Sequence, residues 1–182
     1  MATKLQQSYK DEIIPKLYKA LECKNIQQVP KLVKIKINRG LGLAAQNTAI
    51  LKKTVDEFRA ITGQQPVITE AQKSVAGFKV REEMPLGVTV TLRGDKMYSF
   101  LDRFINLALP RTRDFQGLNP KGFDPYGNYT LGLKEQLLFP EISYDSVDQL
   151  RGFNVTFVTN AKNRNEGAML LRELGLPLRE NS

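Results

Sequence analysis

Eight polar side chains, set two residues apart along three short stretches, have the chemistry to hold an anionic ligand. Apolar and polar residues alternate over residues 33–38, 88–93 and 153–157. The polar positions are Lys34, Lys36, Asn38, Thr89, Thr91, Arg93, Asn154 and Thr156. Three are basic, five are small hydrogen-bonding residues and none is acidic. This combination suits phosphate and 2′-hydroxyl groups.

The spacing also predicts which elements position these side chains. Successive side chains in a β-strand point to opposite faces of the sheet, so each stretch predicts a strand with one apolar and one polar face. If the strands share a sheet, the apolar face is core and the polar face is a broad surface without acids. An ordinary solvated sheet face has the same spacing, and the strands alone leave both interpretations open.

The remaining segments predict helices and two shorter strands around this sheet. Apolar periodicity predicts helices over residues 5–21, over 47–62 with Gly63 as its C-terminal cap, from a cap at Asp95 to Pro110, and over about 164–174. Pro15 predicts a kink or the start of a second helix. Short strands are expected at 66–69 and near Tyr129–Leu133. At 182 residues the chain fits a single domain, 1–182, with a long ordered loop at about 110–142 and a projecting loop at about 70–87.

The projecting loop contains an aromatic residue between basic ones. Its central run reads Lys73-Ser74-Val75-Ala76-Gly77-Phe78-Lys79-Val80-Arg81. A flexible tip of this kind can press its backbone against phosphates or stack Phe78 on a nucleotide. A hairpin tip with Phe78 folded onto the core has the same spacing, and both interpretations stay open.

The charge of the chain favours an anionic partner and is unevenly distributed. The net charge is +8 and the isoelectric point is near 9.6. Residues 1–94 hold 16 Lys and Arg against 8 Asp and Glu, whereas residues 95–182 hold 11 of each. The whole excess therefore lies in the half with two of the three alternating stretches.

The same composition argues against catalysis and membrane insertion. The chain has no histidine and one cysteine, Cys23, and it contains no dinucleotide-binding or P-loop motif. We therefore expect no cofactor, no metal and no small-molecule substrate. No run of about 18 apolar residues predicts a membrane span. An enzyme acting on RNA or nucleotides and an RNA chaperone remain the alternatives to a structural RNA-binding protein.

Ordered runs along most of the chain match one family. These runs are Gln28-Val29-Pro30, Asn38-Arg39-Gly40-Leu41-Gly42, Ile61-Thr62-Gly63-Gln64, Lys73-Ser74-Val75-Ala76-Gly77-Phe78-Lys79, Val90-Thr91-Leu92-Arg93-Gly94, Leu109-Pro110-Arg111, Arg113-Asp114-Phe115, Gly127-Asn128-Tyr129, Glu135-Gln136, Phe139-Pro140-Glu141-Ile142 and Arg151-Gly152. From about residue 5 to residue 179 the chain resembles the large-subunit ribosomal protein five family, the universal ribosomal proteins that bind 5S rRNA. The runs Asp114-Phe115-Gln116-Gly117 and Tyr144-Asp145-Ser146 resemble plastid and cyanobacterial members.

The resemblance implies a fold and two sets of contact residues. The expected fold is α+β, a two-layer sandwich in which an antiparallel sheet has helices packed on one face and a concave RNA-binding face. The contacts to 5S rRNA would come from Lys34, Lys36, Asn38, Gln64, Thr69, Thr91 and Arg93. The loop that meets P-site tRNA and forms an intersubunit bridge would use Lys73, Ser74, Val75, Ala76, Gly77, Phe78, Lys79 and Arg81.

The resemblance also implies a role and a location. The protein would be a structural constituent of the large ribosomal subunit that helps to attach 5S rRNA to the central protuberance. Its partners would be 5S rRNA, large-subunit rRNA, P-site tRNA and small-subunit head proteins across the bridge, with no membrane and no cofactor. The expected location is the plastid stroma, with the bacterial cytoplasm as the alternative.

Overall fold

A computed structural model describes residues 3–113, 115–144 and 147–179 of the chain. Asp114, Asp145 and Ser146, which belong to the plastid-type runs, lie outside the described residues. Within that part of the chain, five strands form one antiparallel sheet in the order β2-β3-β1-β5-β4. The strands are β1 (Leu32–Gly40), β2 (Val67–Glu70), β3 (Pro85–Leu92), β4 (Tyr129–Leu133) and β5 (Phe153–Thr159). The helices are α1 (Lys4–Ser8), α2 (Ile14–Ala20), α3 (Thr48–Thr62), α4 (Gly94–Arg103) and α5 (Arg164–Glu173).

The three alternating stretches are neighbours in this sheet, so the condition on which a common polar face depends is met. The central strand β1 pairs with β3 on one side and with β5 on the other. Its Lys36 lies opposite Thr91 of β3 and Thr156 of β5. Directly opposed residues of paired strands share a face, so the polar positions of all three strands lie on one side of the sheet.

The other side of the sheet is the hydrophobic core. Ile35, Ile37 and Phe157 are fully buried there, and α3 and α4 cover them with apolar side chains. The helix residues in this cluster include Phe58, Ile61, Phe100, Leu101 and Phe104. Burial of each such side chain contributes about 1.5–3 kcal/mol. The chain therefore has an α+β two-layer fold, with helices against one face of the sheet.

Helix α3 is bounded by the residues that its sequence predicts. The Asn47 side chain accepts a hydrogen bond from the backbone N of Ala49 at 3.0 Å, which satisfies one free N–H of the first turn. Gly63 follows the last turn at φ +64°, in the left-handed region where glycine carries no steric penalty. The helix thus ends just before Gln64, one of the predicted contact residues.

Two predicted boundaries were wrong. Helix α4 begins at Gly94 with Arg93 in the N-cap position, so Asp95 lies in the first turn and is not the cap. Its negative charge still suits the positive end of the helix dipole. Strand β3 ends at Leu92, so Arg93 lies just beyond the strand that was expected to include it.

The N-terminal helical segment runs past Pro15 through a change of pitch. A π-helical turn, Tyr9–Ile13, joins α1 to α2, and Pro15 is the second residue of α2. Proline has no N–H to donate and its ring crowds the preceding carbonyls, and the wider turn accommodates both effects. Among the described residues, no helix has the length and apolar character needed to cross a membrane.

Candidate nucleic-acid interface

The polar side of the sheet, here called the donor face, is built from cross-strand rows of hydrogen-bonding side chains. One row runs Thr91, Lys36, Thr156 and Thr130 across β3, β1, β5 and β4. The next row runs Thr89, Asn38 and Asn154. Opposed residues have Cβ atoms about 4.5–5.5 Å apart, so each row is a continuous polar line across the sheet.

The donor face is open, and its four strands other than β2 carry no acid. Lys36 and Asn154 are exposed, and Lys34, Asn38 and Thr91 are half-buried. The described positions of β1, β3, β4 and β5 on this side include no Asp or Glu, and the one acid is Glu70 at the end of β2, opposite Pro85 beyond a register shift. Thr69 joins the same face from β2, because it lies opposite Gly87 of β3. The part of the face built from β3, β1, β5 and β4 can therefore donate hydrogen bonds and neutralise negative charge without a carboxylate that would repel a phosphate.

Two predicted contact residues lie beside the strands rather than on them. Gln64 follows α3, and its side-chain Nε2 donates to the backbone O of Thr91 at 3.2 Å. This bond holds the Gln64 side-chain amide beside Thr91, at the β3 end of the row that contains Lys36. Arg93 is exposed immediately after β3. The fold thus gathers all seven predicted contact residues on or beside one face.

One residue of the donor face was missed in the sequence. Thr130 of β4 lies opposite Thr156, with 3.2 Å between the two side-chain hydroxyl oxygens. Residues 129–133 also alternate, with Tyr129, Leu131 and Leu133 toward the core and Thr130 and Gly132 toward the donor face. The alternation of these five residues is the sequence signal that places Thr130 on this face.

The projecting loop is a closed hairpin between β2 and β3. The backbones of Val75 and Val80 exchange hydrogen bonds of 2.9 and 3.2 Å, and Ser74 Oγ accepts from the backbone N of Glu82 at 2.9 Å. Phe78 at the tip is 75% exposed. The alternative that folds Phe78 onto the core was therefore wrong. Every residue of the predicted loop set is exposed: Lys73, Ser74, Val75, Ala76, Gly77, Phe78, Lys79 and Arg81.

The described residues contain no arrangement typical of a catalytic centre. No group of three or more His, Cys, Asp or Glu side chains within them has the geometry to hold a metal ion. The shifted tyrosines belong to the core. Burial raises the pKa of Tyr129 to about 12, and its hydroxyl donates to the carbonyl O of Asn119 at 3.0 Å. Burial, with a smaller contribution from Tyr98, likewise raises the pKa of Tyr9 to about 12.

Comparison with known proteins identifies the family to which this chain belongs. Residues 25–81 match the family model described as ribosomal protein L5, and residues 85–178 match the ribosomal L5P family C-terminus. The large ribosomal subunit protein uL5c of Heterosigma akashiwo is 61% identical over 181 residues, covering 100% of both chains. The chain belongs to the uL5 family of large ribosomal subunit proteins.

Other uL5 relatives come from Prochlorococcus marinus and Tetradesmus obliquus. The uL5 of Prochlorococcus marinus is 60% identical over 177 residues, which is 97% of this chain and 99% of the relative. The uL5c of Tetradesmus obliquus is 59% identical over 97% of this chain and 98% of its own. This is a family of ribosomal structural proteins, so the protein is a non-enzymatic constituent of the large ribosomal subunit and the enzyme alternative was wrong.

In this uL5 chain a buried arginine supports the donor face from behind. The Arg39 side chain points to the core side of β1, is 2% exposed and forms an ion pair with Glu57 of α3. Its Nε and Nη2 donate to the carbonyl O atoms of Gly152 and Arg151, each at 3.2 Å. The guanidinium also lies 5.1 Å from the ring centre of Phe58. Sequence analysis missed this role, although a basic residue in the apolar phase of an alternating strand was the signal.

Proposed function

We propose that the donor face binds 5S rRNA and that this contact helps to attach 5S rRNA to the central protuberance. The observation that carries the proposal is the acid-free row in which Lys36 lies between Thr91 and Thr156. Half to two-thirds of nucleic-acid contacts go to phosphate and sugar, and this row presents the groups that make them. The 2′-hydroxyl of RNA both donates and accepts, which suits threonine and asparagine side chains.

The contact residues divide into two roles. Lys34, Lys36 and Arg93 neutralise phosphates, which gives affinity without sequence preference. Shorter side chains then fix the register on sugars and exposed bases. These shorter residues are Asn38, Gln64, Thr69 and Thr91. Gln64 is already oriented by its bond to Thr91, so little side-chain entropy is lost when its amide meets RNA.

The projecting loop, a hairpin between β2 and β3, forms a second surface. We propose that its tip contacts P-site tRNA and takes part in a bridge to small-subunit head proteins. The exposed Phe78 ring offers a stacking surface, and Lys73, Lys79 and Arg81 add positive charge around it. The two Val75–Val80 hydrogen bonds close this loop as a hairpin of its own, so we expect the two surfaces to act separately.

The names of the relatives support a proposal for the location. The chloroplast form of the name, uL5c, is used for the Heterosigma and Tetradesmus proteins. We therefore propose that the protein works in the plastid ribosome, in the stroma. The cyanobacterial relative keeps the bacterial cytoplasm as the alternative, and fractionation of the source cells with an antibody to the protein separates the two.

The test of 5S rRNA binding is its dependence on salt. Filter binding of the purified protein to 5S rRNA should weaken steeply as salt rises, because each neutralised phosphate contributes about 0.7–0.9 to the log–log slope. Co-sedimentation with large subunits should be stoichiometric, which separates this role from that of an RNA chaperone. Binding that stays flat from low to moderate salt would contradict the proposal.

A further inference from the structure

Tyr126 is an exposed aromatic residue on a turn that the functions proposed above do not use. Its side chain is 72% exposed, close to the 75% of Phe78 at the hairpin tip. It lies in the turn of residues 124–128, which leads into β4. A tyrosine presented to water in this way forgoes the burial that most aromatic side chains obtain.

The turn is held by one carboxylate. Asp124 Oδ1 accepts from the backbone N of Tyr126 at 3.0 Å and from the backbone N of Asn128 at 2.7 Å. Asp124 Oδ2 accepts from the Asn128 side-chain Nδ2 at 2.7 Å, and the backbone N of Asp124 donates to the carbonyl O of Asn128 at 2.9 Å. Pro125 has its φ fixed by its ring. The backbone at Tyr126 is therefore fixed by bonds on both of its sides.

The same turn is also anchored to its neighbours. Gly127 has φ +78°, and an added Cβ there would lie 2.8 Å from Ala161 Cβ and 2.9 Å from the carbonyl O of Asn163. The carbonyl O of Gly127 accepts from Thr159 Oγ1 at 3.0 Å. The turn thus packs against the end of β5 and the start of α5 without room for a side chain. Tyr126 is carried on a rigid base, so ordering it on a ligand costs little conformational entropy.

The charges next to the turn favour a nucleic acid over an apolar partner. Exposed Lys162 and Arg164 belong to the segment between β5 and α5 that packs against it, and exposed Lys121 lies in the 3-10 turn Pro120–Gly122 just before it. Arg164 Nη2 donates to the carbonyl O of Pro120, which holds the guanidinium beside the turn. The nearby carboxylates are occupied within the protein, since Asp124 binds the turn and Glu166 Oε2 accepts from the backbone N of Lys162 at 2.9 Å.

We propose that Tyr126 is a stacking platform for an unpaired rRNA base, with Lys121, Lys162 and Arg164 on the adjoining phosphates. Aromatic rings bind bases of any sequence through their faces, and nearby cations add affinity for the backbone. The proposal rests on membership of the large subunit and not on 5S rRNA binding by the donor face. An exposed ring without basic neighbours would instead suit a protein contact.

The first experiment identifies the partner of the ring. Tyr126 is replaced by the photoreactive p-benzoylphenylalanine in the full chain, the protein is incorporated into large subunits, and the particles are irradiated. A cross-link to an rRNA nucleotide is the expected result, whichever rRNA molecule holds it. A cross-link to protein alone, or no cross-link, overturns the proposal.

The second experiment separates stacking from mere proximity. Tyr126→Phe keeps the ring face and should retain the wild-type affinity for large subunits that lack this protein. Tyr126→Ala should bind them about tenfold more weakly, with unchanged thermal unfolding because the Asp124 network uses no atom of the Tyr126 side chain. Equal affinities of the Ala and Phe variants overturn the proposal. Filter binding of Thr91→Val to 5S rRNA is measured in parallel, so failure of the Tyr126 proposal is distinguishable from failure of the donor-face proposal.

Discussion

Thr91 and Val90 are neighbours in β3 whose side chains lie on opposite faces of the sheet. Thr91 faces the donor side opposite Lys36, and Val90 is 2% exposed in the core. The assignment of the RNA face therefore depends on the phase of a two-residue repeat. A shift of one residue would exchange the two roles completely.

Thr91→Val tests whether the Thr91 side of β3 is the face that binds RNA. It keeps the shape and the β-branched character of the side chain and leaves the backbone O that accepts from Gln64. We expect unchanged stability and a loss of about 0.5–1.5 kcal/mol in 5S rRNA binding, the usual net value of one hydrogen bond. Filter binding and urea unfolding measure the two quantities.

Val90→Thr is the control. It introduces a hydroxyl into the core, so it should lower the free energy of unfolding before it affects RNA binding. The reverse pattern in the two variants would mean that the faces have been assigned in the wrong register.

Arg39 and Glu57 give the second prediction at the scale of residues. Their side chains are 2% and 10% exposed, so Glu57→Gln leaves the Arg39 charge buried without its partner. We expect the free energy of unfolding to fall by on the order of 3 kcal/mol, measured by urea denaturation. The exposed pair of Lys16 and Glu173 is the comparison, and Glu173→Gln should cost less than about 1 kcal/mol. Similar losses in both variants would contradict this role for Arg39.

At the scale of elements, the strands were predicted more closely than the connections between them. The alternation of apolar and polar residues in β1, β3 and β5 predicts that each segment is a strand. It also predicts which face of the strand is buried, because side chains two residues apart lie on the same face. The start of α4 was misplaced by two residues, because aspartate is a preferred N-cap residue and arginine, which holds the N-cap position here at Arg93, is not. The exposure of Phe78 was not predictable, because it depends on whether the hairpin reaches the core and no local spacing encodes that distance.

The hairpin loop supplies the prediction for this scale. Replacing Ser74–Lys79 with a short Gly/Ser turn should leave the core intact, since loop tips tolerate such changes. We expect 5S rRNA affinity close to that of the wild type and reduced P-site tRNA binding or subunit joining in reconstituted ribosomes. Phe78→Ser is the smaller companion change, and it tests the ring alone.

Two results would contradict the separation of the surfaces. Loss of 5S rRNA binding in a folded loop variant would mean that the donor face and the loop are one site. Unchanged tRNA binding together with unchanged subunit joining would leave the loop without the proposed role.

At the scale of the whole molecule, the two segments that match separate family models share one sheet. Strand β1 from the first segment lies between β3 and β5 of the second. We infer that neither segment folds without the other. Urea unfolding should give coincident single transitions by circular dichroism and tyrosine fluorescence. A fragment of residues 1–81 should be unfolded, since β1 lacks both neighbours there, and a folded fragment or two separate transitions would contradict the inference.

The net charge of +8 offers a competing explanation of any RNA affinity, because a basic protein binds RNA without a defined face. Two lysines distinguish these explanations, because they carry the same charge but lie on different sides of the sheet. Lys36 lies at the centre of the donor face, and Lys52 is exposed on α3, which packs on the other side of the sheet. Replacing either with glutamine removes one positive charge from the same total.

The most direct test is filter binding of the Lys36→Gln and Lys52→Gln proteins to 5S rRNA over a range of salt concentrations. The donor-face account predicts weaker binding for Lys36→Gln, with the magnitude of the log–log salt slope reduced by about 0.7–0.9 for one lost phosphate contact. It predicts wild-type affinity and slope for Lys52→Gln. Equal effects of the two substitutions would show that overall charge, and not this face of the sheet, holds the RNA.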